Sequence, residues 1–251
     1  MILTIDAGNS RVKWGAYARG VWLAQDTALP EQIAELAARW RVYGVPSAIL
    51  VSNVAGEAVR TALEHQLSQF PVTARWMTAS VAAHGVRSHY RNPGQLGVDR
   101  WMAMIGARRL HPGPSVVVLS GTALTVDALT AEGDFLGGLI APGLRAMLDA
   151  LAVTTAAVKI TSGDYEVFPT ETRHAVATAA IAAALGCIAH VRKHMAEGGH
   201  GDPNVVLSGG AAAVLVPHVA QPLVTVENLV LEGLLTVAQS VRERFSPSWY
   251  C

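Results

Sequence analysis

The chain has 251 residues, 51% of them hydrophobic and 15% charged. That is enough apolar material for one or two packed domains, and it excludes a disordered chain. Its 19 basic and 19 acidic residues cancel, so no overall field draws it to nucleic acid or to an anionic membrane surface.

Ile2 to Asp6 reads as a short buried strand, Gly8-Asn9-Ser10 as a tight turn and Val12 to Tyr17 as a returning strand. This start has neither a basic segment nor a cleavage pattern, so no signal peptide is expected. A helix is predicted over Pro30–Trp40, a buried strand over Ala48–Asn53, and helices over Glu57–Gln69 and Gly97–Leu110. His111-Pro112-Gly113-Pro114 is the strongest breaker and sets the expected boundary between two domains, 1–113 and 114–251.

The opening pattern then recurs. Val116–Leu119 reads as a strand, Ser120-Gly121-Thr122 as a turn and Ala123–Leu129 as a returning strand. A strand at Phe135–Ile140 and a helix after Pro142-Gly143 follow. An alanine-rich helix is predicted over Thr172–Met195, a strand over Val205–Leu207 before Ser208-Gly209-Gly210, and a last helix over Leu229–Arg244. No stretch of about 18 apolar residues escapes a charge, proline or glycine, so no membrane span is expected. Two cysteines make no disulfide framework and fit a reducing, cytoplasmic compartment: Cys187 reads as a small buried side chain and Cys251 as a frayed last residue. Strands mixed with helices in both halves indicate an α/β protein with its ligand in the cleft between them.

Three constellations carry chemistry. Glycine lets a backbone approach phosphate closely, and successive N–H groups in a turn form an anion nest; Gly8-Asn9-Ser10 and Gly121-Thr122-Ala123 both offer this. Asp6 ends the first strand and could order Mg²⁺ through its water shell, while Lys13 could reach a phosphate; equally, Asp6 could serve only the N–H groups of its own turn. Asp99 lies at the start of a helix, where the dipole keeps a carboxylate ionised and able to accept a proton, and Arg100 beside it could bind a substrate carboxylate. A capping Asp with a solvated Arg is the plain alternative. Walker A and protein-kinase glycine loops are absent from the sequence. His190 and His194 stand four apart on the alanine-rich helix without an acidic residue to complete a metal site, and the tryptophans read as core or interface anchors. Asp127, on the second returning strand, could support the site or face solvent.

Together these residues resemble the type III pantothenate kinases, which open coenzyme A synthesis in bacteria. Asp6-Ala7-Gly8-Asn9-Ser10, Val51-Ser52-Asn53-Val54, Tyr90…Asn92-Pro93…Leu96-Gly97-Val98-Asp99-Arg100, Gly121-Thr122-Ala123…Thr125-Val126-Asp127, Gly137–Leu144, Ser208-Gly209-Gly210 and Asn228–Leu234 match the family's motifs in order. The resemblance implies the acetate kinase, sugar kinase, Hsp70 and actin fold, with two ribonuclease-H-like halves flanking an ATP cleft. It implies transfer of the γ-phosphate of ATP to the primary hydroxyl of pantothenate, with Asp99 as catalytic base and Asp6 ordering Mg²⁺. Gly8, Asn9, Ser10, Lys13, Gly121, Thr122 and Ala123 would grip phosphates, and Tyr90, Gly97, Arg100 and Thr172 would line the pantothenate site. It also implies a homodimer in which the partner subunit closes the active site. Leu119 departs from the family, which has there an aspartate associated with a monovalent cation; leucine cannot coordinate K⁺ or NH₄⁺. Some proteins of this family carry the name Bvg accessory factor, with a proposed role in virulence gene transcription. A neutral chain without a helix-turn-helix signature argues against that alternative, as do Asp6, Asp99 and Arg100. Another phosphotransferase or a polyphosphate hydrolase of the same fold would keep the turns and replace the substrate motif.

Overall fold

A computed structural model describes residues 1–154 and 162–245. The chain forms two compact units. The first comprises Met1–Gly85, Tyr90–Leu110 and the chain from Leu229; the second comprises Val86–His89 and His111–Asn228. A single cut at 113/114 therefore does not describe the division. The last helix belongs with the first unit, and a four-residue strand segment ahead of Tyr90 belongs with the second.

In the first unit, strands β1 (Ile2–Ala7), β2 (Val12–Ala18), β3 (Val21–Ala28), β4 (Ala48–Asn53) and β5 (Arg75–Trp76) form one sheet in the order β3-β2-β1-β4-β5. β1 is antiparallel to β2 and parallel to β4, so it lies in the middle with both ladders filled. Burial on both faces explains why its sequence is a continuous apolar run rather than an alternation. β3 had no such signal: it is an edge strand with Val21 and Leu23 exposed on one side, and its polar residues Gln25, Asp26 and Thr27 break the apolar run. The predicted helix at 30–40 is a 3₁₀ segment, Pro30–Glu35, running into α1 (Leu36–Arg41). α2 (Glu57–Leu67), α3 (Val98–Leu110) and α7 (Leu229–Phe245) complete the unit, the last numbered after the helices of the second unit. Trp14, Trp40 and Phe70 join the core against the sheet, with Trp14 and Trp40 edge to face at 6.4 Å.

α3 and α7 cross in near backbone contact. A Cβ on Gly106 would stand 2.6 Å from the Leu229 carbonyl oxygen, and one on Gly233 would collide with the Met102 carbonyl. Two glycines thus let the closing helix lie directly on the helix that carries Asp99 and Arg100. Glu232 on α7 ties the same helix to the sheet, accepting from Trp22 Nε1 at 2.7 Å.

A two-residue strand, β6 (Ala82–Ala83), closes the first stretch of the first unit. In the second unit, β7 (Val86–Ser88), β8 (Ser115–Ser120), β9 (Ala123–Leu129), β10 (Asp134–Pro142), β11 (Asn204–Ser208) and β12 (Leu223–Thr225) form a sheet in the order β12-β11-β8-β9-β10-β7. β8 is antiparallel to β9 and parallel to β11. Five of these strands therefore repeat the 3-2-1-4-5 order of the first sheet, the ribonuclease-H-like arrangement expected for both halves. α4 (Leu144–Thr154), α5 (Thr172–Glu197) and a short α6 (Ala212–Leu215) accompany the sheet. β7 is held to β10 by Asp134, which accepts from Arg87 Nε at 2.6 Å and Nη2 at 2.8 Å and contacts His89 Nε2 at 2.9 Å. α5 is the one helix among the described residues that is long and apolar enough to cross a bilayer by length and composition. Core helices meet the same measure, and Ala180, Ile181, Ala184, Ile188 and Val191 of α5 pack into the core of this unit. Cys187 is half-buried there rather than buried, and Cys251 lies outside the described residues.

Candidate active site

In the first unit the site is built at the carboxyl ends of β1 and β4 and at the start of α3. Gly8 N–H donates to the Arg11 carbonyl at 3.1 Å, closing the turn that leaves Asn9 and Ser10 exposed. The parallel register sets Asp6 beside Ser52, and the antiparallel one sets it opposite Lys13. Ser52 Oγ donates to Asp6 Oδ1 at 3.2 Å. Asp6 is thus held from its neighbours, and its carboxylate faces Ser52 rather than capping its own turn. Burial first, and then the negative charge of Asp99, raise its pKa to about 6, against the lowering effect of Lys13 and the Ser52 hydroxyl. The two carboxylates, 93 positions apart in the chain, are therefore close enough to repel.

Asp99 is the second residue of α3, and its Oδ1 accepts from the Arg100 N–H at 2.8 Å. Gly97 precedes it for a steric reason: a Cβ there would lie 2.5 Å from Asp99 Oδ1. Arg100 is not a solvated arginine. Its side chain is buried, 3% exposed, with Nη1 donating to the Tyr90 hydroxyl at 2.8 Å and the guanidinium 5.6 Å from the Tyr90 ring centre. Tyr90, Gly97, Asp99 and Arg100 thus form one cluster on α3 and the segment before it.

The second unit repeats the turn. Gly121 N–H donates to the Ala123 carbonyl at 3.0 Å, and Gly121, Thr122 and Ala123 are exposed. Two further glycines shape it. A side chain on Gly143 would strike the Gly121 carbonyl, and Gly209, at φ +111°, has no room for one against the Ser120 backbone. Thr172 is the exposed first residue of α5. Asp127 does not face solvent: it is 1% exposed, and its carboxylate fills the space a side chain on Gly138 would need. His190 and His194 share a face, with ring centres 4.4 Å apart, but no group of three metal-ligating side chains occurs among the described residues.

Ser52, Gly143 and Gly209 were named in the sequence only as motif letters. The pairing of β1 with β4 gives Ser52 its task, and close backbone approach gives the two glycines theirs.

The sequence profile of the type III pantothenate kinases matches residues 2–194. A type III pantothenate kinase of Chromobacterium violaceum is 45% identical over 96% of this chain and all of its own length. That of Nitrosospira multiformis is 38% identical over 98% of this chain and 94% of its own. Among solved structures, a Baf family protein of Campylobacter jejuni superposes with a TM-score of 0.63 at 18% identity, covering 96% of this chain and 99% of its own. MreB5 of Spiroplasma citri, bound to ADP, superposes with a TM-score of 0.57 at 10% identity, covering 98% of each chain. The last two likenesses establish the fold shared with MreB5, the actin-like fold. With the profile covering most of its length and full-length relatives at this identity, the chain belongs to the type III pantothenate kinase family.

Proposed function

We propose that this protein transfers the γ-phosphate of ATP to the primary hydroxyl of pantothenate, giving 4'-phosphopantothenate. The observation that carries the reading beyond family membership is the Asp6–Asp99 pair, two carboxylates held near each other on separate elements. Phosphoryl transfer asks for little covalent chemistry from the protein; it needs phosphates gripped, charge neutralised and the alcohol oriented. The turns at Gly8–Ser10 and Gly121–Ala123, with Lys13, take the phosphates. Asp99 accepts the hydroxyl proton, and Tyr90, Gly97, Arg100 and Thr172 hold pantothenate, its carboxylate answering the buried guanidinium.

Magnesium fits Asp6: a desolvated carboxylate repelled by another one is stabilised by a divalent cation with its water shell. Such an ion neutralises charge on the β and γ phosphates when bound. A monovalent cation does not fit. Leu119 is half-buried opposite Thr125, and its side chain offers no oxygen to coordinate such an ion. In a coupled assay of ADP release, we expect pantothenate-dependent and magnesium-dependent turnover whose rate is unchanged when K⁺ replaces Na⁺. Absence of pantothenate turnover in K⁺ and in NH₄⁺ alike would sink the kinase reading; turnover that appears only in K⁺ or NH₄⁺ would sink the cation reading alone.

The protein is proposed to work as a homodimer in the cytoplasm. Supporting this, α5 leaves Ala179, Ala182, Ala183 and Gly186 exposed along one face while its other face packs in the core. Sedimentation equilibrium at assay concentration should give twice the chain mass; a monomer that turns over pantothenate at full rate would refute it.

A further inference from the structure

His174 is a buried ionisable side chain that the proposed reaction does not use. It lies in the first turn of α5, 5% exposed, two residues after Thr172. The segment before α5 is fastened at successive residues, to that helix and, through Tyr165, to His218. A Cβ on Gly163 would strike the Arg173 carbonyl; Asp164 N–H donates to His174 Nδ1 at 2.8 Å; the Tyr165 ring stacks on His218 at 4.1 Å; and Glu166 N–H donates to Thr178 Oγ1 at 3.0 Å. Beyond these fastenings Val167 and Phe168 stand 72% and 88% exposed before the chain returns to Glu171 and enters the helix.

The imidazole sits where the two ends of this loop meet. Nδ1 faces the backbone of Asp164, with the carbonyl oxygen also at 3.3 Å, while Nε2 faces Glu171 at 3.7 Å and Glu166 at 3.9 Å. Because Nδ1 accepts from an N–H, the neutral ring carries its proton on Nε2, directed at those carboxylates. A histidine used only for packing needs no such arrangement. Here one ring nitrogen bonds the entry of the loop, and the other stands beside the carboxylate at its exit.

We propose that His174 is a positioning residue for substrate binding: by holding the neck of the 164–171 loop it sets Thr172 and the first turn of α5 for pantothenate. This rests on the reading that Thr172 lines the pantothenate site. Asparagine places an acceptor oxygen near the position of Nδ1, whereas phenylalanine keeps the ring and loses the acceptor. His174→Phe is expected to raise KM for pantothenate about tenfold, the worth of one lost polar contact, with kcat and KM for ATP within about twofold. His174→Asn is expected to retain the wild-type KM. The Asp164 amide, followed by hydrogen exchange in the full chain, should be protected in wild type and His174→Asn and exposed in His174→Phe. An unchanged pantothenate KM in His174→Phe overturns the proposal, even if the Asp164 amide opens. So does a His174→Asn variant impaired as strongly as His174→Phe, which would mark a packing role. Wild-type protein that turns over no pantothenate overturns the functional reading and the substrate half of the proposal, while exchange at Asp164 still decides the neck.

Discussion

Asp99→Asn is expected to lower kcat for pantothenate phosphorylation by about 10²-fold or more, the usual worth of a positioned general base. The substitution is unusually clean here. Asn keeps the volume and offers an oxygen to the Arg100 N–H that Asp99 Oδ1 now accepts, so the first turn of α3 retains its bond. What disappears is the proton acceptor and one negative charge. That charge is the second-largest cause of the raised pKa at Asp6, after burial. Its removal should move the acid limb of kcat/KM for ATP to lower pH, a shift that mere distortion of the helix would not produce. A variant that keeps its rate within threefold would remove Asp99 from the role of base.

Asp6→Asn should cost activity and add stability. Loss of a charge-organising group at a phosphoryl-transfer site is expected to cost about 10²–10³-fold in kcat/KM for ATP. The stability effect has a definite sign. The folded-state pKa of about 6 lies above the ordinary 3.8, so the folded protein holds a proton that the unfolded chain has already lost. Stability from this group is fully present below pH 3.8, declines as pH rises towards 6, and is gone above it. At pH 7.5 the ionised carboxylate therefore costs about 2–3 kcal/mol, which a neutral Asn removes. Urea titrations without nucleotide should show the variant more stable at pH 7.5 and the two proteins converging near pH 4. Equal stability at pH 7.5 would mean that Asp6 is neither desolvated nor repelled as described. Magnesium with nucleotide should stabilise the wild type far more than Asp6→Asn.

A stabilising substitution at the position most damaging to activity is the mark of a site arranged for a ligand rather than for folding. The same logic applies to Arg100. A buried guanidinium is costly to desolvate, and its bond to the Tyr90 hydroxyl fixes it within the cluster proposed to hold the pantothenate carboxylate.

Much of the molecule was legible in the amino-acid order. Central strands such as β1 and β8 are buried on both faces and must be apolar throughout, and the turns that follow them need glycine; both demands are local and leave their mark on the residues. The repeat of strand, glycine turn and strand followed for the same reason. Edge strand β3 and the short β12 did not announce themselves, because an edge strand shares only one ladder and tolerates polar residues. Nor could a single breaker at 111–114 show that the last helix returns to the first unit, since that choice depends on Gly106 and Gly233 letting α7 settle on α3.

The sequence by itself determined the strand-and-turn repeat, the motif that carries Asp99 and Arg100, and the absence of a partner carboxylate at Leu119, for each is a property of neighbouring residues. Only the folded chain shows that the Asp6 carboxylate is held above its ordinary pKa, which nitrogen of His174 accepts, and that Arg100 is buried rather than solvated. Those properties depend on desolvation and on charges and donors brought close by folding from distant positions, and no local pattern in the chain encodes them.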